Sequence, residues 1–96
     1  EKAVYNNVYG GRAMSHSIPI DKKNYPQYIK LGLNIAYYRK LAGFTQEQLA
    51  EACGISRTHI SNIEAPNMIK SISLETLFNI ARALHVSASK LLEFRD

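Results

Sequence analysis

The sequence predicts an all-α protein, a compact five-helix domain that follows an irregular N-terminal arm. Three observations lead to this class. Apolar residues recur at helical spacing from residue 28 onward, residues that cap helix N-termini precede the apolar segments, and no segment of this part shows clear strand alternation. The domain is therefore predicted to span residues 28–96 and the arm residues 1–27.

The arm contains one glycine pair, two prolines and several Asn and Ser residues, and it lacks a helical period. Met14 offers a natural start, in which case residues 1–13 are an upstream extension. A native arm is an equally open alternative.

Length and composition bound the class of protein. The chain has 96 residues, 46% of them hydrophobic, which suits one folded domain. One cysteine cannot form an internal disulfide, and no apolar run approaches the roughly 20 residues that span a bilayer. We therefore expect a soluble cytoplasmic protein. The net charge of +4 suits a polyanionic partner but identifies none.

The first helix is predicted from Tyr28 to the glycine at position 43, which favours a helix C-terminus. Its apolar stripe comprises Leu31, Ile35, Tyr38 and Ala42. Thr45 and Gln48 then form the sequence pattern of a capping box, so a second helix is predicted at residues 46–53, ending at Gly54.

Ser56 is predicted to cap a third helix at residues 57–64, and Pro66 prevents its continuation. A loop over residues 66–72 follows. Ser73 can cap a fourth helix, and Ser87 a short last one that carries Leu91 and Leu92. The stripe of the fourth helix comprises Leu74, Leu77, Ile80, Ala81 and Leu84.

Residues 46–63 carry the most information about function. Two short helices that cross closely need a small residue at their contact and a turn residue that tolerates positive φ, and Ala50 and Gly54 meet these needs. Leu49, Cys53, Ile55, Ile60 and Ile63 supply the apolar filling. The opposite face of the second of these helices is polar and carries Arg57, Thr58, Ser61 and Asn62, types that can read DNA base edges.

These residues resemble the lambda-repressor/Cro-like (Xre-like) helix-turn-helix family. The similarity covers residues 31–94, about two-thirds of the chain, and includes the spacing between motifs. The matching residues are Leu31-Gly32, Ile35, Arg39, Gly43, Thr45-Gln46, Leu49-Ala50, Gly54, Ser56, Ile60 to Glu64, Leu74, Leu77, Ile80-Ala81, Leu84 and Leu91. The chain departs from the family pattern after Glu64, where Ala65-Pro66 replaces the usual polar residue and glycine.

The resemblance implies a role for each site residue. Arg57, Thr58 and Asn62 fall on base-reading positions, assisted by Ser61, and Gln46 resembles a residue that contacts a DNA phosphate. Further backbone contacts are expected at Ser56, His59, Asn67 and Lys70. Arg39 and Glu64 match a buried pair that braces the first helix against the third.

The resemblance also implies a homodimer. Its interface is expected at the last helix, with Leu91, Leu92 and Phe94, and it would place two recognition helices on a pseudo-palindromic operator in double-stranded DNA. The function expected is that of a transcription regulator, a repressor above all. The alternatives are an antitoxin or controller with a coupled protein partner, and an interaction module that has lost DNA binding.

Catalysis and metal binding are not expected. His16, His59 and His85 lack metal-ligand spacing, and no nucleophile with its base forms a recognisable set. Cys53 is interpreted as a small buried hydrophobe. No enzyme activity and no cofactor are therefore predicted.

Overall fold

The computed structural model describes residues 19–94, so most of the predicted arm, including Met14, lies outside the described residues. Within that range the chain forms five α-helices and no strand. The helices are α1 (Tyr25–Leu41), α2 (Gln46–Cys53), α3 (Arg57–Glu64), α4 (Leu74–Leu84) and α5 (Ala88–Leu91), and a short 3-10 helix, Lys22–Asn24, precedes α1. The predicted all-α class and helix number are confirmed.

The first helix begins earlier than the sequence predicted. It starts at Tyr25 rather than Tyr28, with Pro26 in its first turn. Proline is tolerated there because the first backbone N–H groups of a helix have no intrahelical acceptor. The interpretation of Pro26 as part of an irregular segment was wrong, and the helical domain begins before residue 28.

Hydroxyl side chains begin four of these five helices. Thr45 Oγ1 accepts from the backbone N–H of Gln48 at 3.0 Å, and the Gln48 side chain accepts from the Thr45 N–H at 2.9 Å, which confirms the capping box. Ser56, Ser73 and Ser87 each accept from the backbone N–H three residues on. These local contacts explain why the starts of α2 to α5 could be predicted from sequence.

Three helices end on a residue in the left-handed conformation, at Gly43, Gly54 and His85. In α2 the Ile55 N–H donates to the Ala50 carbonyl at 3.0 Å, which closes the helix end. The same pattern closes α1 and α4. The left-handed conformation of His85, with φ 59°, is sterically unfavourable for any residue other than glycine. The sequence therefore did not predict that a helix ends at His85.

The hydrophobic core lies between all five helices. It comprises Leu31, Ile35, Leu49, Ala50, Cys53, Ile60, Ile63, Leu77, Ile80, Ala81, Leu84 and Leu91. Tyr38 of the predicted first-helix stripe is partly buried and packs against this core, and two other predicted stripe residues are exposed. Leu74, the first residue of α4, is 66% exposed, and Ala42 follows the end of α1 and is exposed. Each lies at a helix end, where the stripe leaves the packed region.

Helix α1 approaches the carboxyl end of α3 at Gly32. A Cβ atom at this position would lie 2.1 Å from the Ile63 carbonyl oxygen, far inside contact distance. Glycine is therefore required by the space between two backbones. This contact fixes the position of α3 relative to α1. None of the helices within residues 19–94 is long and apolar enough to cross a membrane.

Candidate nucleic-acid interface

Helix α3 is held from behind by buried side chains. Ile60 is fully buried and Ile63 is 6% exposed, and both belong to the core. The helix packs on α2 across the turn at Gly54 and on α1 at Gly32. Contacts on one side of the helix therefore set its position in the molecule, which leaves the other side open.

The open side of α3 carries the predicted base-reading residues. Arg57 and Thr58 are exposed, and Ser61 and Asn62 are half-buried. With about 100° between successive residues, these four side chains fall within an arc of about 140°. The structure therefore places all four on one face, opposite Ile60 and Ile63.

This face has the size and chemistry of a DNA-reading surface. An α-helix with its side chains is about 10–12 Å across, and the B-DNA major groove, about 12 Å wide, admits it. Arginine can bond two acceptors of guanine, asparagine can bond adenine at two atoms, and threonine offers a hydroxyl and a methyl group. Arg57, Thr58 and Asn62 thus present three different means of distinguishing bases.

A buried ion pair supports α3 at its carboxyl end. Arg39 Nε lies 2.7 Å from Glu64 Oε2, and Arg39 Nη2 donates to Glu64 Oε1 at 3.0 Å. The third guanidinium nitrogen, Nη1, donates to the Phe44 carbonyl oxygen at 2.7 Å. One arginine therefore ties α1, the segment before α2 and α3 together. This is the pair that the sequence predicted.

Gln46 joins this network at the N-terminus of α2. Its Nε2 donates to Glu64 Oε1 at 2.9 Å, which fixes the orientation of the amide. Gln46 is the first residue of α2, so it lies at the positive end of the helix dipole. Gln46 was predicted as a phosphate contact, but its bond to Glu64 was not foreseen, because sequence spacing does not show which side chains meet.

The structure restricts two of the predicted contacts to the DNA backbone, those of Ser56 and His59. Ser56 Oγ accepts from the His59 N–H at 3.0 Å and so caps the helix. His59 Nε2 is buried and has no hydrogen-bond partner among the described residues. In this conformation that nitrogen does not reach a phosphate, so only the other ring nitrogen of His59 remains for such a contact.

The segment after α3 forms a tight turn. Ala65 is extended, with ψ 120°, and the Met68 N–H donates to the Ala65 carbonyl at 3.2 Å. The turn exposes Pro66 and Asn67, and Lys70 is exposed farther along the loop. Asn67 and Lys70 are therefore accessible near the exit of α3, where the sequence placed two backbone contacts.

The C-terminal residues divide into a buried and an exposed group. Leu91 is fully buried in the core, so its side chain offers no surface to a second chain, and the dimer prediction is corrected on this point. Leu92 is 47% exposed, and Phe94 is partly buried. Both line a cleft of about 320 Å³, here called the C-terminal apolar cleft, with Tyr28, Leu31, Ile72, Leu74, Leu77 and two polar residues of α1 and its cap, Asn24 and Gln27.

The described residues contain no candidate metal centre. Residues 19–94 contain no group of three His, Cys, Asp or Glu side chains close enough to hold a metal ion. Cys53 is buried between the helices, and this burial raises the pKa of its thiol, opposed by the positive charge of Arg82. A thiol that stays protonated is a poor nucleophile, which agrees with a packing role.

Comparison with known proteins places this geometry in a family. A helix-turn-helix family model, HTH_3, matches residues 35–91, more than half of the chain. The chain belongs to this helix-turn-helix family. The matched region includes α2, the turn at Gly54 and α3, so the candidate interface lies within the family motif. The resemblance noted from the sequence is confirmed.

Named relatives of this helix-turn-helix chain are regulators. Control protein C.SmaI of Serratia marcescens is 40% identical over 62 residues, which cover 65% of this chain and 71% of that protein. The transcriptional regulator SinR of Bacillus subtilis is 33% identical over 63 residues, 66% of this chain. The chain spans only 56% of SinR, so SinR contains a region without counterpart in the match.

Solved structures agree with the described fold. The restriction-modification controller protein C.AhdI from Aeromonas hydrophila superposes with a TM-score of 0.66 at 26% identity, covering 71% of this chain and 96% of that one. SinR in complex with DNA superposes with a TM-score of 0.61 at 33% identity, covering 66% of this chain and 98% of that one. The helical arrangement is thus shared with structures of the family.

Proposed function

We propose that this chain is a sequence-specific DNA-binding transcription regulator that acts as a homodimer on a pseudo-palindromic operator, as a repressor. The observation that carries this proposal is the polar face of α3. Its side chains are accessible, while the helix itself is held rigidly from behind. A rigid support suits recognition because base contacts require side chains placed to within fractions of an ångström.

Two kinds of contact would divide the work of binding. Arg57, Thr58 and Asn62 would contact base edges and select the sequence, with Ser61 assisting. Gln46, Ser56, Asn67 and Lys70 would contact the sugar-phosphate backbone and set the register. The family membership and the DNA complex of the relative SinR support this assignment. A protein that binds the chromosome would be located in the cytoplasm, at the nucleoid, and no catalytic step is part of the proposal.

Homodimer formation would follow from the exposed apolar residues near the C-terminus. Leu74 is 66% and Leu92 47% exposed, and both line the C-terminal apolar cleft. A two-fold contact through this cleft would bury the same side chains on both copies. Two recognition helices would then lie about one DNA turn, roughly 34 Å, apart.

A controller protein of a restriction-modification system is the second candidate. Two of the relatives, C.SmaI and C.AhdI, are named as control or controller proteins, and both match across the motif. The two candidates share the same DNA-reading surface. They differ in the gene that lies beside the operator, and a neighbouring restriction or modification gene would favour the controller.

Selection of binding sites from random DNA with the full chain tests the proposal. We expect one enriched, pseudo-palindromic sequence, bound with a dissociation constant of about 10 nM or tighter and with strong salt dependence. The control is random-sequence DNA at the same salt, which should bind at least about 1,000-fold more weakly. If no sequence is enriched, or binding is weak and insensitive to salt, the chain is an interaction module instead.

A further inference from the structure

Asn34 connects α1 to the segment that surrounds Leu92. Its Nδ2 donates to the Leu91 carbonyl oxygen at 2.9 Å and to the Glu93 carbonyl oxygen at 3.1 Å. These two bonds use both protons of a single amide and span 57 and 59 residues of sequence. The two acceptors stand on either side of Leu92, so one side chain of α1 holds the backbone on both sides of that residue.

The C-terminal segment needs this support. Helix α5 has four residues, too few to be stable without tertiary contacts, and the last carbonyl groups of any helix lack intrahelical donors. The amide of Asn34 supplies a donor to the carbonyl of Leu91, the last residue of α5, and a second donor to Glu93 beyond the helix. Leu91 is buried in the core on one side of Leu92, and Phe94 packs against the core on the other. The backbone at Leu92 is therefore fixed by two hydrogen bonds and two apolar contacts.

This support keeps an exposed apolar side chain in one place. Leu92 is 47% exposed and forms part of the C-terminal apolar cleft beside Leu74. A leucine on a loose chain end would lose conformational freedom on binding a partner, and that loss weakens association. A leucine that is already fixed loses much less.

We propose that Asn34 is a positioning residue for homodimer formation, because it holds Leu92 and the C-terminal apolar cleft in the shape that a second copy binds. This inference rests on the homodimer of the proposed function. The occupant is a second copy because the exposed Leu92 and the partly buried Phe94, which line the cleft, are residues of the proposed homodimer contact. Asn34 contacts no DNA in this proposal. Its effect on operator binding passes through the dimer alone.

Three substitutions of Asn34 separate its donors from its size and charge. Asn34→Asp keeps the shape and removes both donors, Asn34→Leu removes them without adding charge, and Asn34→Gln keeps two donors. Sedimentation equilibrium of the full chain gives the dimer dissociation constant, which we expect to rise at least about tenfold for Asp and Leu and much less for Gln. Leu92→Ala removes the positioned side chain itself and should weaken the dimer as well.

DNA binding supplies the readout that a general structural role would not give. Affinity for a single half-site of the selected operator should stay within about twofold of wild type in the Asp and Leu variants, while affinity for the full operator falls with dimerisation. Equal losses on half-site and operator would overturn the proposal, as would unchanged dimerisation. A wild-type chain that is monomeric at micromolar concentration, free and on DNA, would overturn the homodimer itself.

Discussion

The inner and outer faces of α3 differ in their exposure and in what they contact. The inner face, with Ile60, Ile63 and Glu64, is less than 10% exposed and contacts α1 and α2. The outer face, with Arg57 and Thr58, is exposed to solvent. The inner face packs in the core and also pairs the charge of Glu64 with Arg39, whereas the side chains of Arg57 and Thr58 on the outer face have neither requirement. We therefore expect that stability and DNA binding can be altered separately in one eight-residue helix.

One network crosses this division. Glu64 belongs to the inner face, yet its Oε1 accepts from Gln46, a residue assigned to the DNA backbone contact. The carboxylate therefore stabilises the fold through Arg39 and would orient Gln46 for the proposed contact with DNA. The comparison predicts that substitutions at this point alter both properties, while those elsewhere alter one.

The largest expected effect comes from breaking the buried pair. Arg39→Met leaves the Glu64 carboxylate buried without its counter-charge, and we expect the free energy of unfolding to fall by about 3–5 kcal/mol. Urea denaturation measures this loss. The double variant Arg39→Met, Glu64→Leu should regain most of it because no charge remains buried. It should still bind the operator less well, since Gln46 has lost the acceptor that orients it; a fully active double variant would argue against that role.

The next effect concerns the contact between α1 and α3. In Gly32→Ala the added methyl group meets the Ile63 carbonyl oxygen at 2.1 Å, so the two helices must separate. We expect a loss of about 1–3 kcal/mol or somewhat more, by the same denaturation measurement. Gly43→Ala is the matched control. Its Cβ meets no atom within 4 Å, and its only cost is the strain of φ 80°, about 1–2 kcal/mol. Equal stability of Gly32→Ala and wild type would contradict the described approach.

A matched pair of helix caps sharpens the comparison further. Ser56 and Ser73 cap α3 and α4 in the same way, with hydrogen bonds of 3.0 and 3.1 Å. Each serine-to-alanine variant should lose about 1 kcal/mol of stability. Only Ser56→Ala should also weaken operator binding, because Ser73 was assigned no DNA contact. Titration of labelled operator measures this; identical affinities in the two variants would remove Ser56 from the interface.

The smallest effect is a dependence of stability on pH. Burial raises the pKa of the Cys53 thiol in the folded chain, so the unfolded chain releases this proton first as the pH rises. Stability should therefore decline from about pH 8.5 upward, until the folded-state pKa is reached. Cys53→Ala, measured over the same range, should lack this part of the decline. Parallel curves for the two chains would mean that the thiol is not buried in solution.

The sequence predicted those features that depend on neighbouring residues. The starts of α2 to α5 were found because a hydroxyl side chain accepts from the backbone N–H three residues on, as at Thr45. At α2 the Gln48 side chain also accepts from the backbone N–H of Thr45, three residues back. Gly43 and Gly54 were found as helix ends because glycine adopts positive φ without strain. At the end of α4 the sequence predicted only a short break in the helical pattern. His85 adopts the left-handed conformation there, but histidine is not a residue type that indicates a helix end.

Features that depend on distant residues were found only through resemblance or not at all. The pair of Arg39 and Glu64 was expected from the family pattern, but the bonds of Gln46 to Glu64 and of Asn34 to the C-terminal carbonyls were missed. Helical spacing predicts which face of a helix is apolar, but it does not predict what packs against that face. For this reason Leu91 was placed at the interface although it fills the core.

The difference between the two faces of α3 is tested most directly by truncating side chains of the outer face alone. The triple variant Arg57→Ala, Thr58→Ala, Asn62→Ala is compared with wild type for binding to the selected operator and to random DNA at one salt concentration. We expect the ratio of the two affinities to fall from at least about 1,000 toward one, while stability stays within about 1.5 kcal/mol of wild type. A triple variant that keeps the ratio would contradict the assignment of sequence recognition to this face.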